Sequence, residues 1–535
     1  MHIFLQKQSK NLADEMIQEK NYKQLPIEEF KTPFERGLDK TNRWVLLSSI
    51  MPWNELAGIY SKALSKRMGR PALLARIVIG AIIIKHKLCL SDEEVIPAIQ
   101  ENPYLQYFLG FCEFSHKRPF DPSLFVTIRK RLGKLEFEDM TNAFIGAVNE
   151  VEKANKTAKK KTVKNNKQSK SSQAGNDESA SDTQNDSEKH SGLLLLDATV
   201  APADIKFPTD LDLLNKSREQ SEKLIDALWQ QVKKPQEVKP RTYSQKARKE
   251  YLIVSKKRKK STKVIRKGIR KQLNFLNRNL KTINTLLDRF ETKKWPLSYR
   301  EQQSFWIIQE LYRQQHEMYT ENRHQINDRI VSVSQPHVRP IIRGKAKCEV
   351  EFGAKISCSV FNGYVFLDRL SWDAYHEASD LPAQVELFKK RFGFYPEAVV
   401  ADNIYGTREN RNWLEGRGIR FSGKPLGRPL QETIENAAQL KADKKRRKKE
   451  AGIRNQIEGK FGEGKRTYDL DLVKAKLPRT SESWIAAILF VINLARWLRA
   501  YFFVPIRFCF KEEVFRLFLY VKELNRVSFA PVFQC

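Results

Sequence analysis

The first part of the chain carries a helical pattern over about residues 40–150. Apolar residues recur there at helical spacing, as at Leu73, Leu74, Ile77, Val78 and Ala81. Ser91 with Glu94 three residues later is a capping-box signal, and Asp121-Pro122-Ser123 opens a helix that leaves Arg129-Lys130-Arg131 available to solvent. The pattern predicts a compact helical domain with a basic face, which fits a helix-turn-helix unit and a bundle with a solvated surface about equally well.

Short apolar stretches further along the chain predict buried strands. Leu193–Leu196 is followed by Asp197, and Ala398–Ala401 is followed by Asp402. Runs of this length without a polar residue are typical of strands that are covered on both faces. Each of these two strands is therefore predicted to end in a carboxylate.

Two further strands are predicted at Val350–Val360 and Tyr364–Leu370. Asn362-Gly363 lies between them and is a strong signal for a hairpin turn. A helix at about 380–391 and an apolar helix at Trp484–Leu498 complete the pattern. The order strand, insertion, hairpin, helix, strand, helix predicts a mixed α/β domain that a helical insertion interrupts.

The insertion covers about residues 211–335. Its apolar residues step by three or four positions over roughly three and a half heptads, and the opposite surface is rich in Lys and Arg. We call these apolar residues the heptad seam: Ile265, Ile269, Leu273, Leu276, Leu280, Ile283, Leu287 and Phe290. Such a seam predicts a helical hairpin within one chain or a coiled coil between two chains, and the second arrangement makes the protein a homodimer.

Composition divides the chain into four parts. Residues 1–150 form the helical N-terminal domain, and residues 191–505 form the α/β domain with its insertion. Between them, residues 151–190 begin with lysines, continue with acids and contain almost no large apolar side chain. Such a segment buries too little surface to offset its ordering entropy, so it is predicted to be a disordered linker. Residues 506–535 are assigned to a C-terminal tail.

Charge narrows the class of partner. The 535-residue chain contains 96 Lys and Arg against 63 Asp and Glu, a formal net charge of +33. This excess favours a polyanion such as nucleic acid, and its spread along the whole chain argues against a protein of the membrane surface.

Six cysteines without a Cys-x-x-Cys pair exclude a disulfide scaffold, argue against structural zinc and fit a reducing cytosol. The longest apolar runs, Ile77–Ile84 and Trp484–Leu494, are expected to be too short to span a bilayer.

Asp197 and Asp402 are the first candidate functional residues. Two strand-end carboxylates in a strongly basic protein predict an acidic pair at one edge of the sheet, and like charges so close together need a cation. Oxygen ligands of this kind suit Mg²⁺ or Mn²⁺. Two such ions, about 3.5–4 Å apart, stabilise the attacking and leaving oxygens of a phosphoryl displacement. A basic protein with this site is predicted to cut or join nucleic-acid backbones.

Glu458 is the candidate for a third carboxylate. On a continuous helix it shares one face with Arg454 and Lys465. A solvated Arg454–Glu458 ion pair is the alternative, but a purely supporting helix does not favour the three glycines that fall at 459, 462 and 464. Glu463 is the rival for the third position. Other acids near the motifs are left out of the site: Asp204, Asp210, Asp212, Asp368, Asp373 and Glu377.

These residues carry a resemblance to a known family. Arg454–Glu458, followed after six residues by Lys465, resembles the Tyr-x2-Arg-x3-Glu-x6-Lys signature of bacterial insertion-sequence DDE transposases. Three further blocks resemble that family: Leu196–Val200, Val350–Ile356 and Asp402–Arg408. The tyrosine of the signature falls on Ala451, a departure that leaves the three carboxylates untouched. The resemblance covers about residues 193–205 and 336–500, and the N-terminal helices are similar to the domain that precedes the core in that family.

The resemblance implies a ribonuclease H-like catalytic core behind an all-α N-terminal domain. It implies that Asp197, Asp402 and Glu458 hold two Mg²⁺ ions, with Mn²⁺ as a substitute, and that Arg454 and Lys465 bind DNA phosphates. The implied function is that of a transposase, which cleaves a strand at the end of its element and joins the freed 3′-hydroxyl to target DNA. The implied partner is double-stranded DNA, and the implied location is the bacterial cytoplasm, at the nucleoid.

Two other functions stay open at this point. A metal-dependent nuclease on the same fold would cut DNA without joining it. A DNA-binding regulator derived from a transposase would do neither, although the intact set of Asp197, Asp402, Glu458 and Arg454 argues against this alternative. Strand-transfer products distinguish the transposase from the nuclease, and metal-dependent cleavage distinguishes both from the regulator.

Overall fold

A computed structural model describes residues 37–64, 73–165, 190–290, 295–345, 348–428, 431 and 433–501. The N-terminal part is helical, as predicted, and its described helices are α1 (Arg43–Ile50), α2 (Trp53–Lys62), α3 (Ala75–Leu88), α4 (Val95–Glu101), α5 (Pro103–Phe108), α6 (Ser123–Arg131) and α7 (Lys134–Asn165). The capping box is confirmed. The Ser91 backbone N–H donates to Glu94 Oε2 at 2.8 Å, and the Glu94 N–H donates to Ser91 Oγ at 3.1 Å.

Helix α7 extends further than composition predicted. Residues 151–165, which were assigned to the linker, form the end of this helix. The reason is that lysine and alanine, which dominate the segment, are good helix formers. The rest of the predicted linker, residues 166–189, and the predicted C-terminal tail, residues 506–535, lie outside the described residues.

A mixed sheet of six strands forms the centre of the α/β part within the described residues. Its strands are β1 (Leu193–Pro202), β2 (Arg339–Lys345), β3 (Cys348–Phe361), β4 (Tyr364–Ser371), β5 (Ala398–Val400) and β6 (Arg420–Phe421). The spatial order is β2-β3-β1-β5-β6, and β4 also pairs with β3. Strand β3 runs antiparallel to β1, β2 and β4, whereas β5 runs parallel to β1 and β6. The predicted hairpin is confirmed, because Asn362 and Gly363 join β3 to β4 with φ of 50° and 78°.

Asp197 does not end β1, contrary to the prediction. The parallel pairing of β1 with β5 stops where Leu195 faces Val400, but the antiparallel pairing with β3 continues to Pro202. Asp197 therefore lies in the middle of β1, just beyond the point where β5 leaves the sheet. Asp402, in contrast, does follow the end of its strand.

The insertion between β1 and β2 is a bundle of helices. They are α8 (Asp210–Val232), α9 (Ser244–Ser255), α10 (Thr262–Leu287) and α11 (Tyr299–Glu321). The heptad seam follows α10 and packs within the chain against α8 and α11. Its central residues are buried, whereas Ile265 at the start of the helix is 37% exposed. The seam is thus covered inside one chain, and it gives the predicted homodimer no support.

The remaining elements follow the hairpin in the predicted order. They are a 3₁₀ turn (Glu377–Asp380), α12 (Leu381–Phe392), β5, a second 3₁₀ turn (Asn403–Tyr405), α13 (Arg408–Glu415), β6, α14 (Ala437–Thr467) and α15 (Pro478–Tyr501). Helix α15 is longer than predicted, and among the described residues it is the one helix long and apolar enough to cross a membrane. Since 78% of its most apolar stretch is buried inside the fold, it has the burial of a core helix.

The N-terminal helices pack directly on the α/β part. One continuous hydrophobic cluster includes residues of both, and Phe137 and Phe144 of α7 contact Phe490 of α15. Buried ion pairs join the same elements. Arg391 of α12 lies 2.8 Å from the Glu138 carboxylate of α7 and 2.6 Å from the Asp368 carboxylate of β4. The two parts therefore share a core.

Arg129 is also part of this contact, which corrects the prediction that it faces solvent. Its guanidinium donates to Asp92 at 2.9 Å, its side chain is 13% exposed, and it lies over the ring of Trp484. Lys85, which is almost fully buried, pairs with the same Asp92 carboxylate at 2.9 Å. The periodicity of α6 showed a polar face, but it did not show that another element covers part of that face.

Candidate active site

The parallel pairing of β1 and β5 brings Asp197 and Asp402 to the same edge of the sheet. Leu195 and Val400 are the last paired residues of the two strands, and each aspartate lies two residues beyond its paired residue. The backbone of neighbouring parallel strands advances in step, so equal offsets place the two carboxylates on the same side of the last pair. Asp402 Oδ1 also accepts the N–H of Asn403 at 2.6 Å, which caps the turn that follows.

Helix α14 supplies the other three predicted residues. It packs against β1 and β5, and its Ile457 and Phe461 are buried in the core that includes the sheet. Because α14 is unbroken through its glycines, Arg454, Glu458 and Lys465 keep the helical spacing that the sequence predicted.

One cavity of about 620 Å³ collects all five predicted residues. The carboxylates of Asp197, Asp402 and Glu458 border it, together with Arg454 and Lys465. Polar residues that the sequence analysis did not include border it as well: Lys355, Tyr375, His376 and Glu377.

Arg454 bridges two of the carboxylates. Its Nη2 lies 3.1 Å from Glu458 Oε1, and its Nη1 lies 3.8 Å from Asp402 Oδ2. The side chains of Asp402 and Glu458 are 56% and 50% exposed. Ion pairs this exposed to water are weak, so these groups exchange partners readily when a phosphate or a cation enters.

Asp197 is the least exposed of the three carboxylates, and its pKa is raised to about 6. Burial is the main cause, because it disfavours the charged form. The N–H of Ala198, which donates to Asp197 Oδ1 at 2.8 Å, lowers the pKa, and the negative charges of Glu377 and Glu458 raise it. Arg454 lowers it by its positive charge. The basic side chains that border the cavity therefore do not offset the effect of burial on Asp197.

The residues fit a divalent metal ion by the kind of donor they offer. Carboxylate oxygens are the ligands that Mg²⁺ and Mn²⁺ prefer, and a cation would favour the ionised form of Asp197. As the side chains lie, no three His, Cys, Asp or Glu residues in the described part of the chain are grouped closely enough to hold an ion. An ion held by all three carboxylates would therefore need them to move closer together, and it would compete with Arg454 for Asp402 and Glu458.

Glu463 does not border the cavity. Its carboxylate pairs with Arg499 of α15 at 2.8 Å and with Lys460 at 3.8 Å. Packing explains why residue 464 is a glycine. A Cβ there would lie 2.9 Å from a Leu470 methyl group and 3.2 Å from a methyl group of Ile492. The glycine at this position is thus explained by packing against Leu470 and Ile492.

Glu377 borders the cavity, although it was not part of the predicted site. It lies in the 3₁₀ turn between β4 and α12 and borders the cavity beside Asp197. No apolar run ends in it, so the signal that marked Asp197 and Asp402 is missing here. The available signal was its place in a polar segment between a predicted strand and a predicted helix, where loop residues of α/β proteins often act.

Two family models match parts of this chain. Residues 399–495 match the family model described as "Transposase DDE domain", and residues 32–131 match the one described as "Transposase domain (DUF772)". The first match includes Asp402 and Glu458, whereas Asp197 lies before it.

A relative from Rhizobium meliloti, described as "Uncharacterized protein ORF8 in nfe locus", is 37% identical over 107 residues. The match covers 19% of this chain and 49% of that protein, so the chain spans about half the length of the relative. No solved structure matches. The two matched regions show that this chain contains a transposase DDE domain and a DUF772 transposase domain.

Proposed function

We propose that this protein is the DNA transposase of an insertion sequence, from the group with the Tyr-x2-Arg-x3-Glu-x6-Lys signature. It binds the terminal repeats of its element, cleaves DNA strands there and joins them to target DNA. The observation that carries this proposal is the single cavity that Asp197, Asp402 and Glu458 border together with Arg454 and Lys465. A net charge of +33 suits a DNA substrate.

The three carboxylates are the proposed catalytic residues and metal ligands. Two Mg²⁺ ions, when bound, supply activation of the attacking oxygen and stabilisation of charge on the phosphate. Arg454 and Lys465 hold phosphate oxygens next to the carboxylates, a contact that positions DNA without reading its sequence. The exchange of Arg454 from Asp402 and Glu458 to a phosphate frees both carboxylates at the moment that DNA arrives.

The division of labour along the chain is part of the proposal. Residues 1–150 bind the element ends, and the exposed Lys130 and Arg131 belong to their basic surface. Residues 191–505 form a ribonuclease H-like catalytic domain, which is supported by a sheet in which β1 lies between the antiparallel β3 and the parallel β5. Two element ends require a homodimer, whose contact lies outside the covered heptad seam. The protein acts in the bacterial cytoplasm, at the nucleoid.

An excision assay tests the proposal. A marker flanked by the element's own ends is incubated with Mg²⁺ and the wild-type chain, with Asp402→Asn, or with Glu409→Gln as the matched control. Glu409 is an exposed acid of α13, seven residues after Asp402 and outside the cavity. The wild type and the control should cleave at the element boundary and join the ends to new DNA, whereas Asp402→Asn should bind without cutting.

Three results would contradict the proposal. Cleavage by Asp402→Asn would remove Asp402 from the site. Cleavage without joined products would favour the nuclease, and binding without cleavage by the wild type would favour the regulator.

A further inference from the structure

Glu377 borders the cavity, but the proposed function gives it no task. Its side chain is 22% exposed, and its Oε1 lies 3.0 Å from Lys355 Nζ. Among the neighbouring acids, Glu377 is the one whose charge acts most strongly on Asp197, ahead of Glu458. Glu377 and Asp197 border the same cavity, and two carboxylates that share a site repel each other unless a cation lies between them or beside them.

The turn that carries Glu377 is anchored to β3, the neighbour of β1. The hydroxyls of Tyr375 and Ser357 form a hydrogen bond of 2.7 Å, and Ser357 donates to Asp380 at 2.7 Å. Lys355 Nζ donates to the carbonyl oxygen of Tyr375 at 2.8 Å. The position of Glu377 is therefore set by contacts on both sides of it, and it is not an accident of a free loop.

A second contact ties the same turn to the segment after Asp402. The buried amide of Asn410 donates to the carbonyl oxygens of Ala378 and Tyr405, at 2.8 Å in both cases. The turn of Glu377 and the turn behind Asp402 thus form one packed unit, and both contribute residues to the cavity.

The same unit contains the buried hydroxyl of Tyr405. The side chain is fully buried, and its hydroxyl has no hydrogen-bond partner among the described residues. The hydroxyl lies within electrostatic reach of Glu377 and Asp197. A buried hydroxyl without a partner is costly, so such a group in a native protein calls for an explanation, such as an ordered water or an ion. A cation held by these two acids would carry water ligands, and such a water can donate a hydrogen bond to the tyrosine oxygen.

We propose that Glu377 is a fourth carboxylate of the site, which holds a divalent cation together with Asp197 and beside the Tyr405 hydroxyl. Lys355 is its resting partner, which Glu377 exchanges for the cation. Lys355 borders the same cavity, so its release adds a third basic side chain for the DNA backbone to Arg454 and Lys465. This inference rests on the proposed function, because it concerns the same site.

Calorimetry with Mn²⁺ and the full chain, without DNA, tests the inference directly. Glu377→Gln should weaken Mn²⁺ binding by more than about tenfold, since even the loss of an outer-shell partner costs about 10- to 100-fold. Lys355→Gln should strengthen binding, because it frees the carboxylate. The double variant should bind like Glu377→Gln, because Lys355 acts through Glu377, and Glu409→Gln should bind like the wild type.

Two results would overturn the inference. One is an unchanged Mn²⁺ affinity in Glu377→Gln. The other is a double variant whose change in Mn²⁺ binding free energy equals the sum of the changes in the two single variants. Glu377 and Lys355 would then act independently, and Glu377 would act only through its distant charge. Thermal unfolding without metal verifies that each variant is folded. If Glu377→Gln does not fold, Lys355→Gln decides alone, since it keeps the carboxylate and should bind Mn²⁺ more tightly than the wild type.

Cleavage of the element ends by the same variants keeps this inference separate from the proposed function. If Glu377→Gln cleaves DNA and binds Mn²⁺ as well as the wild type does, while Asp402→Asn does not cleave, the proposed role of Glu377 is overturned. The proposed transposase function is then kept. Lost cleavage at unchanged Mn²⁺ affinity would give Glu377 a structural role and overturn the inference too. An inactive wild type would count against the transposase, while the calorimetry would still decide on Glu377.

Discussion

Replacing Asp197 by asparagine removes a carboxylate that the fold disfavours in its charged form. Burial and the neighbouring acids raise its pKa from 3.8 to about 6. Each pKa unit corresponds to about 1.4 kcal/mol, so keeping Asp197 ionised in the folded, metal-free protein costs up to about 3 kcal/mol. Asparagine has nearly the same shape and no charge. Asp197→Asn should therefore stabilise the metal-free protein and abolish its cleavage activity.

The pH dependence of this effect has a definite sign. The folded state binds the proton of Asp197 more tightly than the unfolded state, so wild-type stability falls as the pH rises from about 4 to about 6. Below that window both states are protonated, and the variant gains nothing from the lost charge. Above pH 6 the advantage of Asp197→Asn reaches its full value, which we expect to be about 1–3 kcal/mol because the carboxyl is not completely buried.

Urea unfolding in the presence of a chelator measures this difference. The free energy of unfolding of the wild type and Asp197→Asn is compared at pH 4.5 and pH 7.5, with Glu409→Gln as the control that should show no such change. Adding Mg²⁺ at pH 7.5 should then stabilise the wild type more than the variant. A variant less stable than the wild type at pH 7.5, or a difference independent of pH, would refute the reasoning.

Four other substitutions test three separate parts of the structure. Arg454→Gln should lower the single-turnover cleavage rate by about 100-fold while DNA binding is nearly kept, because it removes a donor to the phosphate; an unchanged rate would exclude that contact. Gly459→Ala should raise the free energy of unfolding by up to about 1 kcal/mol. Gly464→Ala should not, because its Cβ would lie 2.9 Å from a neighbouring methyl group. Equal effects of the two variants on urea unfolding would contradict this packing. Arg391→Met should cost about 3–5 kcal/mol, because the Asp368 carboxylate stays buried without its cation; a loss below about 1 kcal/mol would show that the ion pair is not needed.

The elements that the sequence predicted well are those set by neighbouring residues. The Asn362-Gly363 turn has positive φ at both positions, and few other dipeptides adopt that conformation cheaply. Ser91 and Glu94 satisfy each other's backbone N–H groups within one turn of chain. The spacing of Arg454, Glu458 and Lys465 needed only an unbroken helix.

What the sequence did not predict depends on residues far apart in the chain. Asp197 lies in mid-strand because β1 loses β5 before it loses β3, and no local pattern records where a partner strand stops. Glu377 reaches the cavity only because β3 and β4 carry its turn there. The heptad seam has the same spacing whether its partner is a second chain or another helix of the same chain. Strand β6 has two residues, too few for any periodicity.

The core that the N-terminal helices share with α15 fixes the distance between those helices and the cavity. Phe137, Phe144 and Phe490 pack in that core, so the helices cannot swing away from the carboxylates unless it opens. In the proposed function, the protein then sets a fixed spacing between the base pairs that these helices bind and the phosphate that enters the cavity. Shifting the bound sequence by one base pair, a rise of about 3.4 Å, would present the adjacent phosphate, and the cut would move with it.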